Sequence, residues 1–338
     1  MRQRLLLVLL TAVLLFLSAC AERSTQWQDQ EYVELDKVFP VVGDARDFDF
    51  DEDYIYAALD QGGMIIIDKA TGSARWLTQV LKATGGYQAL ESVRTIAAMR
   101  EFNLLFVNDI RATDGIYILN TSDPDSIKYF DAIVGATNSI TEMKVYKIQN
   151  PTNNNRTEIA FTASRTFQFS SYDNHLWFGY DYGINAPAPC SGFDLTASHI
   201  FIAGQQRGLL IYNRADKTLV SDLAIPGEAQ KVKVVGNYAY LVGRQGGLSV
   251  VDITNPASPV LLKNWDTSGY ATSVDVRGNM AVVGSNSGGV YLFDISSPAN
   301  PVLLQRITDC GFTNKVGFDG DSIIVATRDN GIRVYNIK

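Results

Sequence analysis

Residues 229–338 write one pattern three times, and this repetition constrains the fold more than any other feature of the chain. The copies read GNYAYLVGRQGGLSVVDITNPASPVLL from Gly236, GNMAVVGSNSGGVYLFDISSPANPVLL from Gly278 and GDSIIVATRDNGIRVYNI from Gly320. Gly236, Gly278 and Gly320 are 42 residues apart, and so are Gly247, Gly289 and Gly331. Asp252, Asp294 and Asn336 keep the step, and Pro256 and Pro259 return as Pro298 and Pro301. A period of about 40 residues with several short strands per unit predicts an all-β propeller array.

The third strand of each unit ends in an apolar run followed by Asp or Asn. Traced backwards, that signal recurs as MIIID at Asp68, IYILN at Asn120, FSSYD at Asp173 and LLIYN at Asn213. With Asp252, Asp294 and Asn336 it marks seven units, at steps of 52, 53, 40, 39, 42 and 42 residues. A short carboxylate or carboxamide side chain caps the tight turn that leaves a strand, so recurrence in every unit is structural and not catalytic. Alternation in the fifth unit predicts strands at 231–235, 239–243, 248–251 and 260–265. Gly246-Gly247 lets the chain turn into the third of these. The last unit has three strands, while YVELDKVF at 32–39 is a strand that belongs to no complete unit. Pairing it onto the last blade predicts a seven-bladed β-propeller closed by an N-terminal strand, which removes an exposed sheet edge.

The segments LSVVDITNPASPVLL and VYLFDISSPANPVLL, each preceded by GNYAYLVG or GNMAVVGS, resemble the bacterial LVIVD repeat. The resemblance is strong over 229–312, fair over 313–338 and 45–70, and weak over 87–189, where the Asp-Ile-x-x-Pro signature is missing. It implies an extracytoplasmic propeller of a kind often anchored by lipid, and it implies no single activity.

The chain opens MRQRLLLVLLTAVLLFLSAC. Arg2 and Arg4 precede an apolar run, Leu5 to Leu17, that is too short to span a bilayer, which reads as a signal peptide over 1–19. Leu17-Ser18-Ala19-Cys20 looks like a bacterial lipobox, so Cys20 is the expected site of lipid attachment and of fatty acylation, including palmitate. Ala21, where an Asp would resemble an inner-membrane retention signal, favours the outer membrane, facing the periplasm or the cell surface. Residues 20–30 are polar and aperiodic, a tether to the propeller at 31–338.

Function would sit where the array is irregular. The third unit carries the polar insert NPTNNNR at 150–156 and then HLWFGYDYGINAPAP, with Trp177, Phe178, Tyr180 and Tyr182 within six residues. Such aromatic density suits a protein or glycan partner, although strand alternation would place Leu176, Phe178 and Tyr180 in the blade core. The second unit is long as well, through LKATGGYQALE and DIRATDG. The innermost strands would line a channel with Arg46, Asp47, Arg94, Glu142, Lys144, Asp194, Lys231, Lys233, Asp275 and Lys315, either as a small-molecule site or as mutually balanced charges. Asp47, Asp49, Asp51, Glu52 and Asp53 lack the spacing and apical glycine of a calcium loop. Cys190 and Cys310 fall before the innermost strands of the fourth and seventh units, nearly opposite one another, which disfavours a bridge.

Chemistry motifs are sparse. His175 and His199 are the two histidines, and neither a metal-ligand cluster, a nucleophile elbow nor a phosphate loop stands out, so no catalytic residue, metal or cofactor is assigned. A net charge of −7 argues against nucleic acid. The reading is a non-enzymatic binding scaffold of the bacterial envelope, with a channel-based sensor or hydrolase-like enzyme as the alternative.

Overall fold

A computed structural model describes residues 31–112, 115–133, 139–147, 157–173 and 176–338. The expected signal peptide, Cys20 and the expected tether lie outside these, as do the insert at 150–156 and His175. Residues 33–337 form seven sheets around a central channel, one per blade and all antiparallel but for one parallel pairing in blade 2. Blade 5 is representative: Lys231–Val235 innermost, then Tyr238–Val242, Leu248–Asp252 and Val260–Trp265 outermost. The two middle strands are buried along almost their whole length, because each is sandwiched between neighbouring blades.

Turn chemistry follows the repeat. Gly247 has φ +71°, and a side chain there would run into the Trp265 carbonyl, so the turn into the third strand requires glycine. The same turn begins with a strained residue that is not glycine: Asp60, Gln205, Arg244 and Asn286 all have positive φ. Each bridges to the residue entering the next blade, Val93, Ala229, Ala271 and Thr313 respectively. Those backbone hydrogen bonds, 2.8 Å from Asp60 N–H to the Val93 carbonyl for instance, offset the strain and lock consecutive blades together.

Apolar clusters fill the spaces between blades. Tyr56, Met64 and Ile66 of blade 1 meet Ile96, Leu105 and Val107 of blade 2, all nearly inaccessible. Each such side chain contributes roughly 1.5–3 kcal/mol by leaving water.

The ring closes as the sequence implied. Val33–Phe39 pairs antiparallel with Gly331–Ile337, from Val33 opposite Ile337 to Phe39 opposite Ile332, and supplies the fourth strand of blade 7. Blade 2 departs from the expected pattern. The surplus residues of LKATGGYQALE are not a plain loop; Gln79–Lys82 and Tyr87–Ala89 form a hairpin that joins the outer strand Lys128–Ile133 in parallel, giving six strands. Val80 anchors it by inserting into the core between blades 1 and 2.

Candidate functional site

The innermost strand of a blade has a sheet neighbour on one side and the channel on the other, so its channel-side N–H groups need partners. The wall residues supply them. Asp49 Oδ1 accepts its own following N–H at 2.9 Å, while Oδ2 accepts the Ala98 N–H of blade 2 at 2.8 Å. Asp194 does the same towards Val234 of blade 5 at 2.7 Å, and Asp275 towards Phe318 of blade 7 at 2.9 Å. One level nearer the mouth, Asp47 reaches Ile96 N–H at 3.0 Å, Glu142 reaches Phe193 N–H at 2.7 Å, and Val316 N–H donates to Ser273 Oγ at 3.0 Å. Each link runs from one blade to the next.

The ammonium groups work in the same direction or against it. Lys144 donates to the Phe193 carbonyl at 2.5 Å, and Lys315 donates to Asp47 and to the Phe48 carbonyl across the closure between blades 7 and 1. Lys233 pairs with Asp275 at 3.3 Å. Lys231 reaches back from blade 5 to the carbonyls of Thr141 and Ser191 and lies 3.5 Å from Glu142, spanning blade 4. Gly192 makes that span possible: a Cβ there would sit 2.7 Å from the Gln230 carbonyl and 2.7 Å from Glu142 Oε2. Blades 2 and 3 meet differently, through Ala97, Met99, Ile140, Met143 and Phe161, with Thr95 and Ala97 at the levels where other blades carry charge.

Electrostatics follow from burial and pairing. Burial pushes the Glu142 carboxyl up, but Lys144, Lys231 and the Phe193 N–H outweigh it and hold it below the usual carboxylate value. Burial alone dominates at Asp49, whose carboxyl is raised. Burial also lowers Lys231, against the pull of Glu142, whereas at Lys315 it is overcome by Asp47 and Asp49 and the ammonium is raised. The channel enclosed by these groups has a volume of about 490 Å³ and is lined by all ten residues named from the sequence.

The aromatic segment of blade 3 lies in its outer strand, Leu176–Asn185. Trp177 is opposite Tyr172, Phe178 opposite Ser171, Tyr180 opposite Ser170 and Tyr182 opposite Phe169, with two register shifts between. The side chains of those four aromatics lie outside the described residues. Blade 2 places Leu81, Tyr87 and Phe130 at its rim, 42%, 63% and 44% exposed. Leu81 is paired with both Tyr87 and Lys128, so Leu81 and Tyr87 share one face of the six-stranded sheet, and Phe130 is exposed at a bulge in the adjoining outer strand. Cys190 and Cys310 are free and buried, and burial pushes the Cys190 thiol up to about 12. His199 shares a hydrogen bond with Ser198 Oγ at 2.9 Å.

Repeat, closure and channel together frame the comparison with known proteins. The LVIVD repeat family matches residues 42–69, 226–267 and 268–309, in blades 1, 5 and 6 and the loops entering them. The chain carries LVIVD repeats. Solved structures agree on the architecture of this LVIVD-repeat propeller. It is similar to the WD40 β-propeller domain of Doa1, with a TM-score of 0.68 at 14% identity, covering 90% of this chain and 97% of that one. It is also similar to the computationally designed Ika8 protein, with a TM-score of 0.60 at 12% identity, covering 90% and 99%. At such identities the likeness concerns fold. No curated protein matches the chain by sequence.

Two features of the LVIVD-repeat propeller escaped the sequence. The carboxylates of the innermost strands are links between blades, a role whose signal was the recurrence of Asp49, Asp194 and Asp275 at one strand level. The exposed rim pair Leu81 and Tyr87, beside Phe130 of the outer strand, became visible only once the hairpin was paired.

Proposed function

We propose that the chain is a lipid-anchored extracytoplasmic scaffold of the bacterial envelope that recruits a protein or glycan through blades 2 and 3 and performs no reaction itself. The observation that carries this reading is the contrast within the ring. Blades 1, 5 and 6 follow the LVIVD repeat, whereas blade 2 adds a hairpin that exposes Leu81 and Tyr87 on one face, beside the exposed Phe130 of the outer strand it joins. An exposed apolar and aromatic cluster of this kind has the make-up of a recognition surface. Its neighbour, blade 3, brings the segment with Trp177, Phe178, Tyr180 and Tyr182. The lipobox-like Leu17-Ser18-Ala19-Cys20 supplies the anchor and Ala21 the preference for the outer membrane.

The test is affinity capture from crosslinked, membrane-solubilised cells, with the full chain compared to Cys20→Ala, to Tyr87→Ala/Phe130→Ala and to Trp177→Ala/Tyr182→Ala. Substitution is preferred to deleting 176–189, because Leu176–Asn185 is a whole strand of blade 3. The expected result is a recurrent envelope component that Cys20→Ala loses through mislocalisation and at least one rim variant loses while remaining membrane-bound. Recovery of the same component by all three variants would contradict the proposal.

A further inference from the structure

Once the links between blades are assigned, two cations of the channel are left over. Asp47, Asp49, Glu142, Asp194 and Asp275 are each engaged with a backbone N–H of the next blade. Arg46 and Arg94 form no such link. They stand side by side at the entry of the innermost strands of blades 1 and 2, and both line the cavity of about 490 Å³.

Their meeting point is Asp60. Arg46 Nη2 is 3.3 Å from Asp60 Oδ2 and Arg94 Nε is 3.7 Å from Asp60 Oδ1, while Arg46 Nε is 3.0 Å from Asp44. Asp60 is fixed in place: Ser92 Oγ donates to it at 2.6 Å, and its backbone bridges to Val93. A guanidinium offers five N–H donors. Arg94 Nη1 and Nη2 and Arg46 Nη1 have no partner among the described residues, and the side chains are 47% and 39% exposed. Two adjacent guanidinium forks with spare donors, both held by Asp60 and one also by Asp44, match the oxygens of a carboxylate or phosphate. The charge of the lining agrees. It contains six cations, Arg46, Arg94, Lys144, Lys231, Lys233 and Lys315, against the five carboxylates, in a chain of net charge −7.

We propose that the channel mouth at blades 1 and 2 binds a small oxyanion, with Arg46 and Arg94 receiving its carboxylate or phosphate and the channel receiving its body. A cavity of this size falls in the range of small-molecule sites. The site is separate from the rim of blades 2 and 3 and does not depend on the scaffold reading.

Calorimetric titration of the purified full chain with inorganic phosphate and with succinate tests it, each against chloride at equal ionic strength. At least one anion is expected to bind above the chloride control, and which one binds names the source of the oxyanion. Arg94→Gln and Arg46→Gln, made separately, are each expected to weaken that binding about tenfold or more, the effect of losing a charge-assisted hydrogen bond. Arg207→Gln, whose native Nε lies 2.6 Å from Asp222 at a blade turn, should leave it unchanged. The proposal is overturned if neither anion titrates beyond chloride, or if a folded Arg94→Gln or Arg46→Gln binds as the wild type does.

Discussion

At the scale of residues, the Asp or Asn that ends the third strand of blades 1, 2, 4, 5 and 6 works through its side-chain oxygen. Asp68 Oδ1 accepts the Thr71 N–H at 2.7 Å, Asp252 that of Thr254 at 2.8 Å and Asp294 that of Ser296 at 2.8 Å. Asn120 and Asn213 make the same turn without charge. Hydrogen bonds from the neighbouring Thr or Ser hold the three carboxyls below their ordinary value of 3.8. A carboxyl depressed on folding stabilises the fold above its unfolded value, and that contribution disappears as pH falls through the folded value. The triple variant Asp68→Asn/Asp252→Asn/Asp294→Asn keeps the acceptor and removes the titration. Its urea midpoint should therefore lie below the wild type's near pH 7 and fall less steeply below pH 3.8, so that the two converge in acid; parallel curves would refute the turn assignment.

At the scale of elements, the innermost strand is what makes seven blades a ring. Its apolar positions pack between blades, while its carboxylates satisfy backbone groups of the following blade. Asp194 joins three partners, the Leu195 and Val234 N–H groups and the Tyr146 hydroxyl at 3.0 Å, and is only 6% exposed. Asp194→Ala would strand a buried N–H, at a cost of about 1–3 kcal/mol. Chemical denaturation should show a loss of that order; an unchanged midpoint would make these links incidental. The alternation Asp47-Phe48-Asp49-Phe50 was legible as a strand, yet the partners of its carboxylates lie 49 residues away. Sequence spacing therefore presented Asp47, Glu142 and Asp275 as charges lining a channel, not as links between blades. The hairpin of blade 2 was hidden for another reason: Gln79–Lys82 and Tyr87–Ala89 are too short for periodicity, and Val80 is the one residue of the pair that buries fully.

At the scale of the whole molecule, the blade count and closure were legible because three terminal strands and one orphan strand leave a single economical pairing. Every turn cap pointed to the same seven units. Closure unites the two ends of the ring through Val33–Phe39 and Gly331–Ile337, reinforced by Lys315 on Asp47 and by Lys69 on Asp319 at 2.6 Å. It also brings Phe39, Ile332 and Val334 into the cluster shared by blades 7 and 1. The most direct measurement is hydrogen exchange on the full chain and on a variant lacking residues 33–39. In the full chain the amides of 331–337 should be protected together with the middle strands of blade 7. In the variant that protection should be lost first there, and then at the junction of blades 7 and 1. Equal protection of 331–337 in both proteins would contradict a ring closed by its own N-terminal strand.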